Sequence, residues 1–180
     1  MEFLVFYNDL MVHCQMGGMG EERNYIMYRY VSKVAVKPAR KASIELLENM
    51  KGRLRDKYGL KAEIYPVGSA KVNLVTCKED DLFDVDFNLV FSGEFSKQQL
   101  QTLKPHVIDV LNEFAVCSGF STGQDSTSAI TYQHHDRSGR TDFHLDVGVI
   151  ILKDGRNGYR LIHHKDTGNY VLVWSLKYCY

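Results

Sequence analysis

From Thr141 to Leu152 the sequence alternates with a period of two. Phe143, Leu145, Val147, Val149 and Ile151 fall on one side, and Asp142, His144, Asp146, Gly148 and Ile150 on the other. Side chains along a strand point alternately to opposite faces, so this pattern predicts a β-strand with one face in a core. Asp146 is the intruder in it. A carboxylate among Leu145, Val147 and Val149 costs several kcal/mol unless something compensates its charge.

A second run, Asp84-Val85-Asp86-Phe87-Asn88-Leu89-Val90-Phe91, is dominated by β-branched and large apolar residues and predicts a central strand. Asp84 and Asp86 are two apart, so both carboxylates point to one face and Val85 to the other. Two like charges in one small volume raise each other's pKa unless a cation such as Mg²⁺ compensates them. An isolated Asp-x-Asp is most often a solvated strand face. Here it comes with Asp146 and, upstream, with Gly68-Ser69 at the end of another strand. Gly68 permits close backbone approach to a ligand, and Ser69 offers a hydroxyl and a helix-opening N–H to a phosphate.

The remaining elements follow from periodicity. Ile44, Leu47, Met50 and Leu54 recur at helical spacing within 38–57, Gly59 suits the helix end, and 62–67 reads as a short strand. Thr76 to Asp81 reads as a polar loop. Ser96 with Gln99 has capping-box spacing, and Leu100, Leu103, Val107, Val110, Leu111 and Phe114 give a second amphipathic helix despite Pro105. Ser128 to Gln133 pairs with Thr141 to Leu152 as a hairpin, and strands are expected over 159–163 and 169–174 around Asp166-Thr167-Gly168. Residues 1–35, with Gly17-Gly18-Met19-Gly20, show no clean period and fit an arm, a packing segment or part of an interface.

Composition sets the outer bounds. The 180 residues, 44% hydrophobic and 24% charged, suit a folded chain of one domain rather than a disordered one. Lys plus Arg and Asp plus Glu balance at 22 each, which excludes a generally basic nucleic-acid coat. Cys14, Cys77, Cys117 and Cys179 have neither zinc nor disulfide spacing, and no apolar run is long enough to span a membrane, so the expected location is cytoplasmic.

Taken together, Val67-Gly68-Ser69, Phe83-Asp84-Val85-Asp86-Phe87 and Phe143-His144-Leu145-Asp146-Val147 resemble the signature of the DNA polymerase beta-like nucleotidyltransferase superfamily. That signature is an apolar-Gly-Gly/Ser turn, an Asp-x-Asp/Glu strand and a third Asp in an apolar strand. The pattern is most similar to the branch of the oligoadenylate synthetases and cyclic-dinucleotide-forming enzymes, in which a segment like Arg160-Leu161-Ile162, Thr167-Gly168-Asn169 and Trp174 follows the third aspartate.

The resemblance implies an α/β (α+β) nucleotidyltransferase fold, a mixed sheet with helices mainly on one face, with residues 60–175 as catalytic core and 1–35 as an N-terminal arm. It implies two Mg²⁺ or Mn²⁺ ions on Asp84, Asp86 and Asp146, a nucleoside triphosphate gripped at Gly68 and Ser69, and a hydroxyl acceptor on a nucleotide, RNA or protein. Relatives continue into a helical domain, and the resemblance leads to the expectation of a minimal form without it. That difference keeps open an inactive module that binds nucleotide or a protein or RNA partner, and a partner protein or a homodimer is a further expectation.

Other residues weigh less. His144 shares a face with Asp146 and fits a structural role or a partner of the carboxylates. Lys71 reads as solvated. His134-His135 and His163-His164 lack the cysteines and the geometry of a zinc site. Ser126, Thr127 and Ser128 read as a polar loop, and Trp174, Tyr178 and Tyr180 as core-completing aromatics.

Overall fold

The computed structural model describes residues 2–7, 10–15, 27–68, 71, 75–77, 82–155 and 157–177. In chain order these form β1 (Glu2–Tyr7), β2 (Leu10–Gln15), β3 (Met27–Tyr30), α1 (Lys33–Tyr58), β4 (Glu63–Pro66), β5 (Thr76–Cys77) and β6 (Asp84–Ser92). There follow α2 (Lys97–Ala115), β7 (Gln124–Asp125), β8 (Ile130–His135), β9 (Thr141–Leu152), β10 (Asn157–His164) and β11 (Asn169–Lys177).

The larger sheet runs β11-β10-β9-β6-β4, with β7 and β8 attached. Its centre is the pair β6 and β9, parallel and in unbroken register from Asp84 opposite His144 to Ser92 opposite Leu152. On its other edge β9 pairs with β8 along its first half and with β10 at its last residues. The sheet is therefore mixed, as expected. The smaller sheet, β1-β2-β3-β5, takes up much of the stretch that shows no clean period.

The alternation of β9 decides the layering. Phe143, Leu145, Val147, Val149 and Ile151 lie in one core cluster with Val85, Phe87, Leu89 and Phe91 of β6, with Leu46, Leu47, Met50 and Leu54 of α1, and with Leu103, Val107, Val110 and Leu111 of α2. Both helices thus cover the same face. On the other face, among the described residues, Val90, Ile150 and Leu152, with Tyr65, form a small apolar patch.

Helix ends follow local chemistry. The Ser32 side chain caps α1 by accepting from the Ala35 N–H, and Gly59 at φ 68° closes it, a left-handed conformation suited to glycine. The helix starts five residues before Pro38 because a proline near a helix start removes only a bond to an exposed turn, here at Val34, 84% exposed. In α2 the Ser96 and Gln99 capping box is complete, and Pro105 lies inside the helix. Thr76-Cys77, expected as loop, pairs with β3 instead.

Two polar devices tie α2 to the sheet. The Gln101 side-chain amide donates to the Tyr170 carbonyl at 2.7 Å and accepts from the Tyr170 N–H at 2.9 Å. Lys104, fully buried, donates to the Ser126 carbonyl at 2.7 Å and lies 2.5 Å from Asp125. Burial pulls the Lys104 ammonium below its usual range, against the opposing pull of Asp125.

Candidate active site

The parallel register of β6 and β9 sets Asp86 directly beside Asp146 and Asp84 beside His144. Neighbouring strands run about 4.8 Å apart, so the first pair of carboxylates shares one volume on the face away from the helices. The Asp86 carboxyl is pushed up to about 6, first by burial, then by the negative charges of Asp146 and Asp84, with Arg160 acting in the opposite direction. Burial is thus the largest cause, and the repulsion expected of acids gathered without a counter-ion adds to it.

Each flanking carboxylate has a protein partner. Thr131, facing Asp146 across the β8–β9 ladder, donates its hydroxyl to Asp146 Oδ1 at 2.6 Å. That bond fixes the carboxylate and leaves Oδ2 for another partner. His144 Nδ1 lies 3.2 Å from Asp84 Oδ1, while Asp84 itself is largely exposed. Among the described residues no three His, Cys, Asp or Glu side chains close into a metal-holding group. The donor set still suits a hard divalent cation, because carboxylate oxygens on one face with unrelieved repulsion are what such a cation binds.

Gly68 sits against this cluster. Its φ is 60°, and a Cβ there would lie 2.8 Å from Asp86 Oδ2. The close approach expected of this glycine is thus to the carboxylate itself. Ser69, the other phosphate-binding candidate, lies outside the described residues. Lys71 is exposed.

Three further residues complete the face. Arg160, on β10, spans the β9 backbone and donates to Asn88 Oδ1 on β6 at 3.3 Å and to the Ser128 carbonyl at 3.2 Å. It crosses at Gly148, where a Cβ would lie 2.6 Å from Asn88 Oδ1 and 2.7 Å from Arg160 Nη1. Sequence reasoning named Arg160 only within a family segment, and Thr131 and the role of Gly148 escaped it. A glycine inside an otherwise well-packed strand was the available signal, since it marks close approach of another group.

The remaining candidates lie elsewhere. His134 pairs with Asp142 at 2.7 Å and stacks on Phe143, and His163 stacks on Tyr170. Ser126 closes a turn with Ala129. Trp174 is 57% exposed on β11 rather than completing a core, while Tyr178 and Tyr180 lie outside the described residues. A cavity of about 720 Å³ opens near the start of α1, lined in part by Arg29, Tyr30, Ser32, His134 and Asp142. None of the three aspartates lines it.

No protein-family model and no curated protein matches the sequence. Solved structures do match the fold. The cyclic AMP-GMP synthase DncV of Vibrio cholerae, in complex with a linear intermediate, aligns at TM-score 0.55 and 11% identity over 82% of this chain and 53% of its own. The CD-NTase CdnG of Bradyrhizobium diazoefficiens, in complex with GTP, aligns at 0.51 and 21% identity over 79% and 42%. CdnC of E. coli MS115-1, in a HORMA complex, aligns at 0.50 and 19% over 81% and 42%. The likeness to these three structures is one of fold, and this chain shares it over about four fifths of its length. The chain spans about half the length, or less, of these structures. Among the described residues, no helix is long and apolar enough to cross a membrane.

Proposed function

We propose that the chain is a Mg²⁺- or Mn²⁺-dependent nucleotidyltransferase that transfers a nucleoside monophosphate from a nucleoside triphosphate to a hydroxyl, releasing pyrophosphate. The observation that carries this reading is Asp86 abreast of Asp146 on parallel strands, with Asp84 two residues along the same face. The CD-NTase fold supports it.

Asp84, Asp86 and Asp146 would hold the divalent ions, which when bound neutralise the triphosphate and lower the pKa of a bound hydroxyl. The chain's own residues do the rest. Thr131 holds one oxygen of Asp146 so that the other faces the site. His144 orients Asp84. The Gly68 backbone is pressed against Asp86, and Gly68 with Ser69, next in the chain, would grip the phosphates. Catalysis of this kind is mostly positioning and charge balance, so small displacements of these groups matter.

The test is pyrophosphate release from each nucleoside triphosphate with Mg²⁺ or Mn²⁺, for the wild type, Asp84→Ala and Asp146→Ala. Either substitution should cost about a thousandfold in rate. Release that survives both rejects the mechanism. A second reading is a module that binds nucleotide or a protein or RNA partner without turnover. Nucleotide binding with no pyrophosphate release, restored to turnover by a partner protein or not, separates it from the first.

A further inference from the structure

The Arg160 guanidinium is built into the open face with unusual care. Its strand partner on β9 is Ile150, so it rises on the same side as Gly148 and the three aspartates. It reaches Asn88 on β6 only because Gly148 carries no side chain, since a Cβ there would sit 2.7 Å from Nη1 and 3.2 Å from Cζ. Its other anchor, the Ser128 carbonyl, belongs to a loop pinned from several sides. Lys104 donates to the Ser126 carbonyl, Ser126 bonds Ala129, and the His163 N–H donates to the Thr127 carbonyl at 2.9 Å.

Both anchors of the guanidinium are uncharged oxygens. A guanidinium carries five N–H donors and a full charge, so donors remain after these two bonds; the charge attracts Asp86 through space, but neither anchor is a carboxylate. An arginine serving only to tie strands together would gain more from a direct carboxylate partner. One held rigid by neutral groups, on the face that carries the carboxylates, is pre-organised for an anion with several oxygens.

We propose that Arg160 is a nucleotide-binding residue that grips a phosphate group at the open face, positioned by Asn88, the Ser128 carbonyl and the bare backbone at Gly148. The proposal rests on the nucleotidyltransferase reading for the identity of the anion, but its test does not. The anion is a phosphate of the polyphosphate chain or the single phosphate of an acceptor, and the experiment distinguishes the two.

The experiment is calorimetric titration of the full chain with inorganic tripolyphosphate, and separately with adenosine monophosphate, in Mg²⁺ buffer. Arg160→Met should weaken binding of one probe by about tenfold or more, the usual scale for a lost charge-assisted pair. The probe affected tells which phosphate is gripped. Arg160→Lys, which keeps the charge but not the fork, and Gly148→Ala, which keeps the arginine but displaces it, should each weaken binding about threefold or more. These two decide the matter if Arg160→Met does not fold.

In turnover the same variants should raise KM for the bound species while kcat stays within about threefold. Failure of the wild type to bind either probe, or binding within twofold of wild type in folded variants, overturns the proposal. Turnover with an unchanged KM in Arg160→Met rejects this inference alone. Loss of probe binding in that variant, with no turnover in the wild type, rejects the nucleotidyl-transfer reading alone.

Discussion

The two faces of β6 and β9 are made from alternate residues of the same strands and obey opposite rules. On the helix-covered face Val85, Phe87, Leu145 and Val147 are essentially inaccessible and pack into one cluster. On the open face Asp84, Asp86, His144 and Asp146 share a partly exposed surface on which repulsion persists and Asp86 titrates near neutrality. Apolar packing holds the first face together, so it stabilises the fold. The second face concentrates charge that the fold has to tolerate, as binding surfaces do. Stability and chemistry are thus separated by a period of two.

The sharpest way to break that contrast is to remove a polar group from the covered side. Lys104 is a buried charge there, paired with Asp125, and Lys104→Met should destabilise the protein by about 3 kcal/mol because Asp125 loses the ammonium. Denaturant unfolding gives this value directly. Leu145→Ala, at a fully buried position, should cost about 3 kcal/mol or slightly less through the cavity it leaves, whereas Thr131→Val on the other side should cost little stability but slow turnover.

Substitution of Asp86 tests the open face in the opposite direction. Its folded pKa of about 6 lies above the ordinary carboxylate value of 3.8. The folded state therefore holds a proton that the unfolded state has released between these values. Metal-free protein should be most stable below about pH 4 with respect to this group, and lose that contribution as pH rises through 6. Solvent screening at this partly exposed group reduces the effect to about 1 kcal/mol. Asp86→Asn should abolish this slope and raise Tm at pH 7, with loss of the proposed activity; an unaltered pH profile would contradict the raised Asp86 pKa that burial and the neighbouring carboxylates produce.

The smallest effect belongs to the outer surface of the helices, where Lys57 bridges Asp109 and Glu113, and Arg53 also meets Glu113. Glu113→Gln should shift Tm less than any change above, and the shift should vanish in about 1 M salt, where charges are screened within about 3 Å.

Much of this was readable in the chain. The alternation of Thr141 to Leu152 fixed the face that carries Asp146, and the Ser96 and Gln99 spacing marked the start of α2. What local pattern does not encode is pairing across distance. That β6 lies parallel to β9 with Asp86 opposite Asp146 depends on a crossover through α2, and no window of sequence shows it. Thr131 was invisible for the same reason, being assigned to its carboxylate by a ladder. The start of α1 was obscured by Pro38, whose cost is small where the lost bond faces water. Trp174 was expected to complete a core, yet it lies on an outer strand and stays exposed.

That outer strand raises a question of self-association. An unpaired edge offers its N–H and C=O groups to any passing strand, and sheets with long apolar edges stack into aggregates. Gln101 occupies both groups of Tyr170 with its own amide, imitating one rung of a missing neighbour. A foreign strand would have to dislodge that amide before pairing along the first residues of the edge. A single side chain from α2 thereby acts as a guard against fibril-like growth, and Gln101→Ala should make the protein cloud sooner on heating while leaving the proposed nucleotidyl transfer intact.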